Sequence, residues 1–220
     1  MKHYINLIIF SLLLYSCNEG RNSKVKMIEL RDSLGVIMQQ GQLNNDTVLL
    51  KKALSYCDYL LETDKEHAHH FNYYRNKSVI YSLLGQKEEA WDNMEKTMLM
   101  LETDNIDRLK FNCVKYIREN NKDSIDYYFK RAFAICENKL STDWNENDVL
   151  SKTELLLYQG KLNEAKTYLE KEFKKKPDNM ILKTAVETWE EWSLNTIAEL
   201  NSDTTARSGG YVIMSGRKMF

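Results

Sequence analysis

The densest group of metal-capable side chains in the 220-residue sequence is Asp64-Lys65-Glu66-His67-Ala68-His69-His70. His67 and His70 are three residues apart, so on a helix they share a face, and Asp64 lies one turn upstream. Two neutral imidazoles and a carboxylate are chemically sufficient to hold zinc. The segment coincides, however, with an exposed turn between two helical units, where solvated polar residues are ordinary, and a solvated corner is the expectation. Other reaction signatures are missing from the chain. There is no glycine-rich phosphate loop, no Gly-x-Ser-x-Gly elbow, no Cys-x-x-Cys and no His-Glu-x-x-His. A metal-dependent enzyme built on the histidine corner ranks last, and no metal, cofactor or catalytic residue is expected.

Cys17 invites a different chemistry. Met1, Lys2 and His3 form a short, weakly basic start, followed by the apolar run Ile5 to Tyr15 (INLIIFSLLLY). That run is too short for a membrane-spanning helix, which needs about 20 residues, but it has the length of a signal-peptide core. It leads into Leu14-Tyr15-Ser16-Cys17, which resembles the lipobox of bacterial lipoproteins. The resemblance implies that residues 1–16 are removed and that the Cys17 thiol carries lipid. Several acyl chains on one residue give stable anchoring, since each buried CH₂ contributes about 0.8 kcal/mol. Residues 17–24 are polar and without period, as a tether would be.

Cys57, Cys113 and Cys136 remain. An odd number cannot pair completely within one chain. Their helical neighbours are largely apolar, such as Ala53, Leu60 and Leu61 around Cys57, so all three read as small core residues. A Cys113–Cys136 bridge between adjacent helices stays open.

The elements that position these residues are helical. Hydrophobic residues make up 43% of the chain and charged ones 29%, which excludes a disordered polymer. One proline, Pro177, and eight glycines suit long helices joined by short corners. With 31 Lys+Arg against 32 Asp+Glu, no basic surface for nucleic acid is indicated. The densest basic run, Lys174 to Lys176, falls at a predicted helix C-terminus, where cations are favoured by the helix dipole.

Two segments keep the same internal spacing. In residues 71–104, Tyr74, Ser78 and Tyr81 mark a first helix, Gly85 the corner, and Ala90 the close crossing on the second helix. In residues 146–179, Val149, Thr153 and Leu156 are followed by Gly160, Ala165, Leu169 and a closing Pro177. Both segments resemble the tetratricopeptide repeat. Residues 106–139 look like a degenerate copy, with Leu109, Cys113 and Tyr116 on its first helix. There Asn120-Asn121 stands in for the glycine, and Ile125, Tyr128 and Ala132 follow. Residues 24–64 read as a further divergent hairpin, with Met27, Leu30, Leu34 and Ile37 on one helix and Leu50, Ala53, Cys57 and Leu60 on the next. Asp46-Thr47 supplies an N-cap. Residues 179–200 read as one amphipathic capping helix bearing Leu182, Ala185, Trp189, Trp192 and Ile197. The expected fold is all-α: antiparallel hairpins over residues 25–200 stacked as a short right-handed solenoid with a C-terminal cap, then a tail over 201–220.

The resemblance implies a groove lined by the first helices of successive repeats. Its inner positions map to Asn72, Arg75, Asn76, Val79 and Ser82, then to Asp107, Lys110, Phe111 and Val114. The last repeat supplies Asn147, Leu150, Ser151, Glu154 and Tyr158. Asn76 occupies a position that bonds ligand backbone in related arrays, and Arg75 and Lys110 suit a carboxylate. The leading partner-binding residues are Asn72, Arg75, Asn76, Lys110, Phe111 and Tyr158. The implied role is a scaffold or adaptor for a protein or peptide, lipid-anchored in the bacterial envelope, with the outer membrane favoured, and facing the periplasm or the exterior. A small-ligand or glycan-binding lipoprotein is the alternative, with Trp144, Trp189 and Trp192 as stacking surfaces. Asp32-Ser33-Leu34, Asp46-Thr47-Val48, Asp123-Ser124-Ile125 and Asp203-Thr204-Thr205 resemble a short bacterial O-glycosylation triplet, a pattern that helix caps also produce. Substitution of Cys17 by alanine is expected to abolish incorporation of a labelled fatty acid in the native host; unchanged labelling would remove the lipid anchor.

Overall fold

A helix ends with carbonyls that have no partner further along it, and a residue at positive φ lets the chain turn back to satisfy them. The computed structural model describes residues 26–201, and four of the five positive-φ residues in that span mark the corners of hairpins. Asn45 (φ 49°) separates α1 (26–43) from α2 (Thr47–Thr63), and Gly85 (φ 74°) separates α3 (His70–Leu83) from α4 (Lys87–Leu99). Asn120 (φ 51°) separates α5 (Ile106–Arg118) from α6 (Lys122–Thr142), and Gly160 (φ 73°) separates α7 (Glu146–Tyr158) from α8 (Leu162–Lys175). At every corner the next N–H reaches five residues back: Asp46 to Gly41 O, Gln86 to Tyr81 O, Asn121 to Tyr116 O and Lys161 to Leu156 O, at 2.8–3.0 Å. Asparagine tolerates this region better than most side chains do, which is why two corners do without glycine. Cys17, with the expected leader and tether around it, and the tail from residue 202 lie outside the described residues.

These helices pack mainly against their neighbours in sequence, as antiparallel hairpins. Small residues set the close crossings. Ser78 and Ala90 are both buried, and the Ser78 hydroxyl donates to the Ala90 carbonyl at 2.7 Å, tying α3 to α4. Thr153 and Ala165 are fully buried in the α7–α8 hairpin. In the first hairpin a Cβ on Gly41 would lie 2.9 Å from Leu50 Cδ2, so glycine is what lets α2 start there.

Three consecutive cores result. Leu34, Leu50, Ala53, Cys57, Leu60, Tyr73 and Ile80 join α1, α2 and α3. Leu109, Cys113, Phe129, Ala132, Cys136 and Leu155 join α5, α6 and α7, and Val149, Leu157, Leu169, Leu182 and Trp189 join α7 to the C-terminal helices. Ion pairs repeat at the seams between hairpins: Asp58 of α2 with Lys77 of α3, Glu95 of α4 with Lys115 of α5, and Glu137 of α6 with Lys152 of α7. Each is partly solvated and worth little alone, but the order is constant, with the carboxylate on the second helix of one hairpin and the lysine on the first of the next.

The expectation of one helix over 179–200 is corrected. The chain breaks at Thr188 (φ −100°, ψ 16°) into α9 (Met180–Glu187) and α10 (Trp189–Asn201), completing ten helices among the described residues. The Thr184 and Thr188 hydroxyls bond back to the carbonyls of Met180 and Thr184 at 2.9 Å, an arrangement that bends helices. α9 packs on α8, whereas α10 packs chiefly on α7 and also reaches α5.

Cys57, Cys113 and Cys136 are buried free thiols. Burial pushes each from an ordinary 9.0 up to about 12. Folding therefore holds protons that the unfolded chain gives up, so stability from the thiols is complete below pH 9 and declines as pH climbs toward 12. All three are expected to resist iodoacetamide at about pH 8 in the folded chain and to react once guanidinium unfolds it, as read by peptide mass. Rapid labelling of any of them in the native protein would contradict this core assignment.

Candidate functional site

The inner-face residues expected from the repeat pattern divide into two groups. On α3, Asn72 is exposed and Arg75 and Asn76 are half-buried. On α5 and α7, Lys110, Phe111 and Tyr158 are buried, at 7%, 8% and 6% exposure. Each of these three packs on a neighbouring helix, Lys110 and Tyr158 between α5 and α7 and Phe111 on α4, whereas the α3 trio keeps part of its surface exposed.

Lys110 explains how that junction is held. Its Nζ lies 2.7 Å from Glu154 Oε2 and 3.5 Å from Ser151 Oγ on α7, with Asp107 one turn back on α5 at 3.4 Å. Burial opposes the ammonium form, but the Glu154 and Asp107 carboxylates outweigh it and hold the pKa at about 12. The charge assigned to a ligand carboxylate is thus spent inside the protein, as a clamp between two successive first helices. Phe111 stacks on Trp91 of α4, with ring centroids 4.6 Å apart and planes 28° apart. The Arg118 guanidinium sits 4.2 Å from the Trp91 ring centroid. Trp91 and Arg118 escaped the sequence reading. The available signal was the seven-residue step from Phe111 to Arg118, which puts both on one face of α5. Tyr158 belongs to the α5–α7 core, against which Leu200 of α10 also packs.

α10 is the element that changes the groove. Trp189, Trp192, Ser193 and Thr196 are buried, while Leu194 is 66% exposed. The helix lies along α7 and touches α5, over the region where the repeat pattern places the middle of a ligand groove. The tryptophans weighed as sugar platforms are accordingly occupied. Trp189 and Trp192 meet edge to face within the core at 5.8 Å, and Trp144 donates Nε1–H to Glu172 Oε2 at 3.1 Å.

The histidine corner is a turn whose side chains bond one another. His67 sits at φ 55°, outside any helix, and α3 begins only at His70, so the two rings do not share a helical face. They meet edge to face, with Nδ1 atoms 3.1 Å apart. Asp64 is buried and accepts the His69 backbone N–H at 3.0 Å, which closes the turn before α3. His69 Nε2 lies 3.0 Å from Arg31 of α1. Among the described residues no group of three or more His, Cys, Asp or Glu side chains is arranged to hold a metal.

Comparison with family models, curated proteins and solved structures found no match.

Removing either partner of the Lys110–Glu154 clamp leaves a charge in a largely desolvated place. Lys110→Ala is expected to destabilise the fold by about 3 kcal/mol. A double-mutant cycle with Glu154→Ala should give a coupling of about 1 kcal/mol or more, measured by urea unfolding. The clamp's contribution is complete below pH 10.5 and is lost as pH rises through about 12. Additive single mutants would show that the two side chains are neighbours without being partners.

Proposed function

We propose that the chain is a lipid-anchored scaffold or adaptor of the bacterial envelope, built as a right-handed tetratricopeptide-type array and binding a protein or peptide partner. The observation that carries this reading is the regularity of the hairpins. Four corners share one backbone geometry, and three seams share one order of charges. An array of this sort stabilises itself through neighbour contacts and offers its successive first helices as a common face. The address rests on Leu14 to Cys17 in the sequence. Near-neutral charge argues against a nucleic-acid partner. No reaction is assigned, and the role is binding.

Within that reading, Asn72, Arg75 and Asn76 on α3 form the part of the face that a partner reaches directly. Lys110 is the wrong residue to probe by charge reversal, because a glutamate there would join Glu154 and Asp107 in a buried cluster of carboxylates. The suitable variant is Arg75→Glu/Asn76→Ala, which leaves the α5–α7 clamp intact. Crosslinking and pull-down from native membranes is expected to recover a specific protein with the wild type. The same protein should be absent with the variant, compared at a temperature where circular dichroism shows both chains folded. Equal recovery by both would remove the α3 face from the proposal, and recovery of nothing specific by the wild type would overturn the scaffold reading.

A further inference from the structure

Three of the four Asp-Ser/Thr triplets noted in the sequence lie within the described residues, and the fold treats them differently. In Asp32-Ser33-Leu34, the Ser33 hydroxyl donates to Glu29 O at 2.8 Å, and Leu34 is buried in the core of the first three helices. In Asp123-Ser124-Ile125, Ser124 is half-buried and Ile125 packs against the α5–α7 core. Asp46-Thr47-Val48, by contrast, is laid open at the corner between α1 and α2. Thr47 is exposed, and its hydroxyl has no hydrogen-bond partner among the described residues. Val48 is 73% exposed and Leu43, across the same corner, 75%; among the described residues these are the two most exposed large apolar side chains. Helix capping accounts for part of the triplet only. Asp46 caps α2, with Oδ1 accepting from Val48 N at 2.9 Å and Leu49 N at 3.1 Å, and Oδ2 takes part in neither bond. A cap needs neither an exposed hydroxyl nor an exposed aliphatic side chain after it. Capping does not explain the other two aspartates either, since Asp32 lies within α1 and Asn121 caps α6.

We propose that Thr47 is an O-glycosylation site, and that among the described residues it is the one triplet that the folded chain presents. A transferase that reads a carboxylate, a hydroxyl and an aliphatic side chain in succession has to reach all three. Only at this corner does it find them together on the surface, because Leu34 and Ile125 are held by cores. The donor is a sugar joined through a diphosphate to a membrane lipid. In the transfer, a lone pair of Thr47 Oγ1 forms the bond to the anomeric carbon, and the bond from that carbon to the phosphate oxygen breaks. The diphosphate leaves with the bonding pair, and the hydroxyl proton passes to a base of the transferase. The inference rests on the export part of the reading above, which puts the corner on the side of the membrane where the lipid-linked sugar is displayed. A hydrated sugar on Thr47 also shields the neighbouring Val48 side chain.

The test uses the chain purified from native membranes, with intact mass and electron-transfer fragmentation of its peptides as readouts. The wild type is expected to carry sugar on Thr47 and none on Ser33 or Ser124. Thr47→Val should lose the sugar, Thr47→Ser should keep it, and Ser33→Ala/Ser124→Ala should leave it unchanged. Asp46→Asn separates recognition from folding, because asparagine caps a helix as well as aspartate does. That variant is expected to lose the sugar with its helix content unchanged by circular dichroism. A wild type without sugar on Thr47 overturns the proposal, and so does equal modification of Asp46→Asn. Sugar on Ser33 or Ser124 overturns it too, because the transferase would then be reading an unfolded chain. Deletion of residues 2–16 keeps the chain in the cytoplasm and should leave Thr47 unmodified; sugar there would assign a nucleotide-linked donor and overturn the lipid-linked one. Fatty-acid labelling of the same samples keeps the two readings apart. A chain labelled at Cys17 and unmodified at Thr47 removes this proposal alone, and sugar on Thr47 without the label removes the lipid anchor alone.

Discussion

Everything in this molecule hangs on a backbone constraint at the end of each first helix. A single residue at positive φ turns the chain, and the following N–H bonds a carbonyl five residues back. That bond fixes where the second helix starts and the direction it takes, and therefore which of its side chains meet the first. With the return angle set, Ala90 falls opposite Ser78 and Ala165 falls within the α7–α8 core, and close approach becomes available at positions where the side chains are small. Packing among the hairpins then follows from local geometry, so a chain with modest apolar content still assembles three linked cores.

Which features were legible depends on whether the controlling physics was local. Gly85 and Gly160 could be read directly, because few other residues take that conformation without strain. Asn120 was legible through its position in the repeat, and Asn45 was visible only as part of a polar corner before the Asp46 cap. The break at Thr188 was hidden. Leu182, Ala185, Trp189 and Trp192 are spaced for one helix, and the hydroxyl bonds that bend it depend on rotamers that sequence does not record.

The candidate site was harder to read for a related reason. Lysine at an inner position reads as a ligand contact when nothing covers it, and sequence gives no sign that α10 returns across α5 and α7. Lys110 and Tyr158 are buried by contacts between α5 and α7, which are not consecutive, and Phe111 stacks on Trp91 of α4. Asn72 on α3 is exposed, and Arg75 and Asn76 beside it are half-buried. The histidine segment is a corner, as its place between two helical units implied. The three-residue spacing of His67 and His70 would give a shared face only on a helix, and positive φ at His67 delays the helix to His70.

The three buried thiols place a demand on the timing of folding. On the proposed reading, with the chain exported and Cys17 lipidated, the unfolded chain carries an odd set of cysteines open to mixed disulfides. Pairing between sequence neighbours shortens the search, because closing short loops costs little entropy and such topologies fold fast. The hairpin order thus does more than build a surface. It buries Cys57, Cys113 and Cys136 away from any oxidant, so that packing, without bridges among these three, holds the hairpins together.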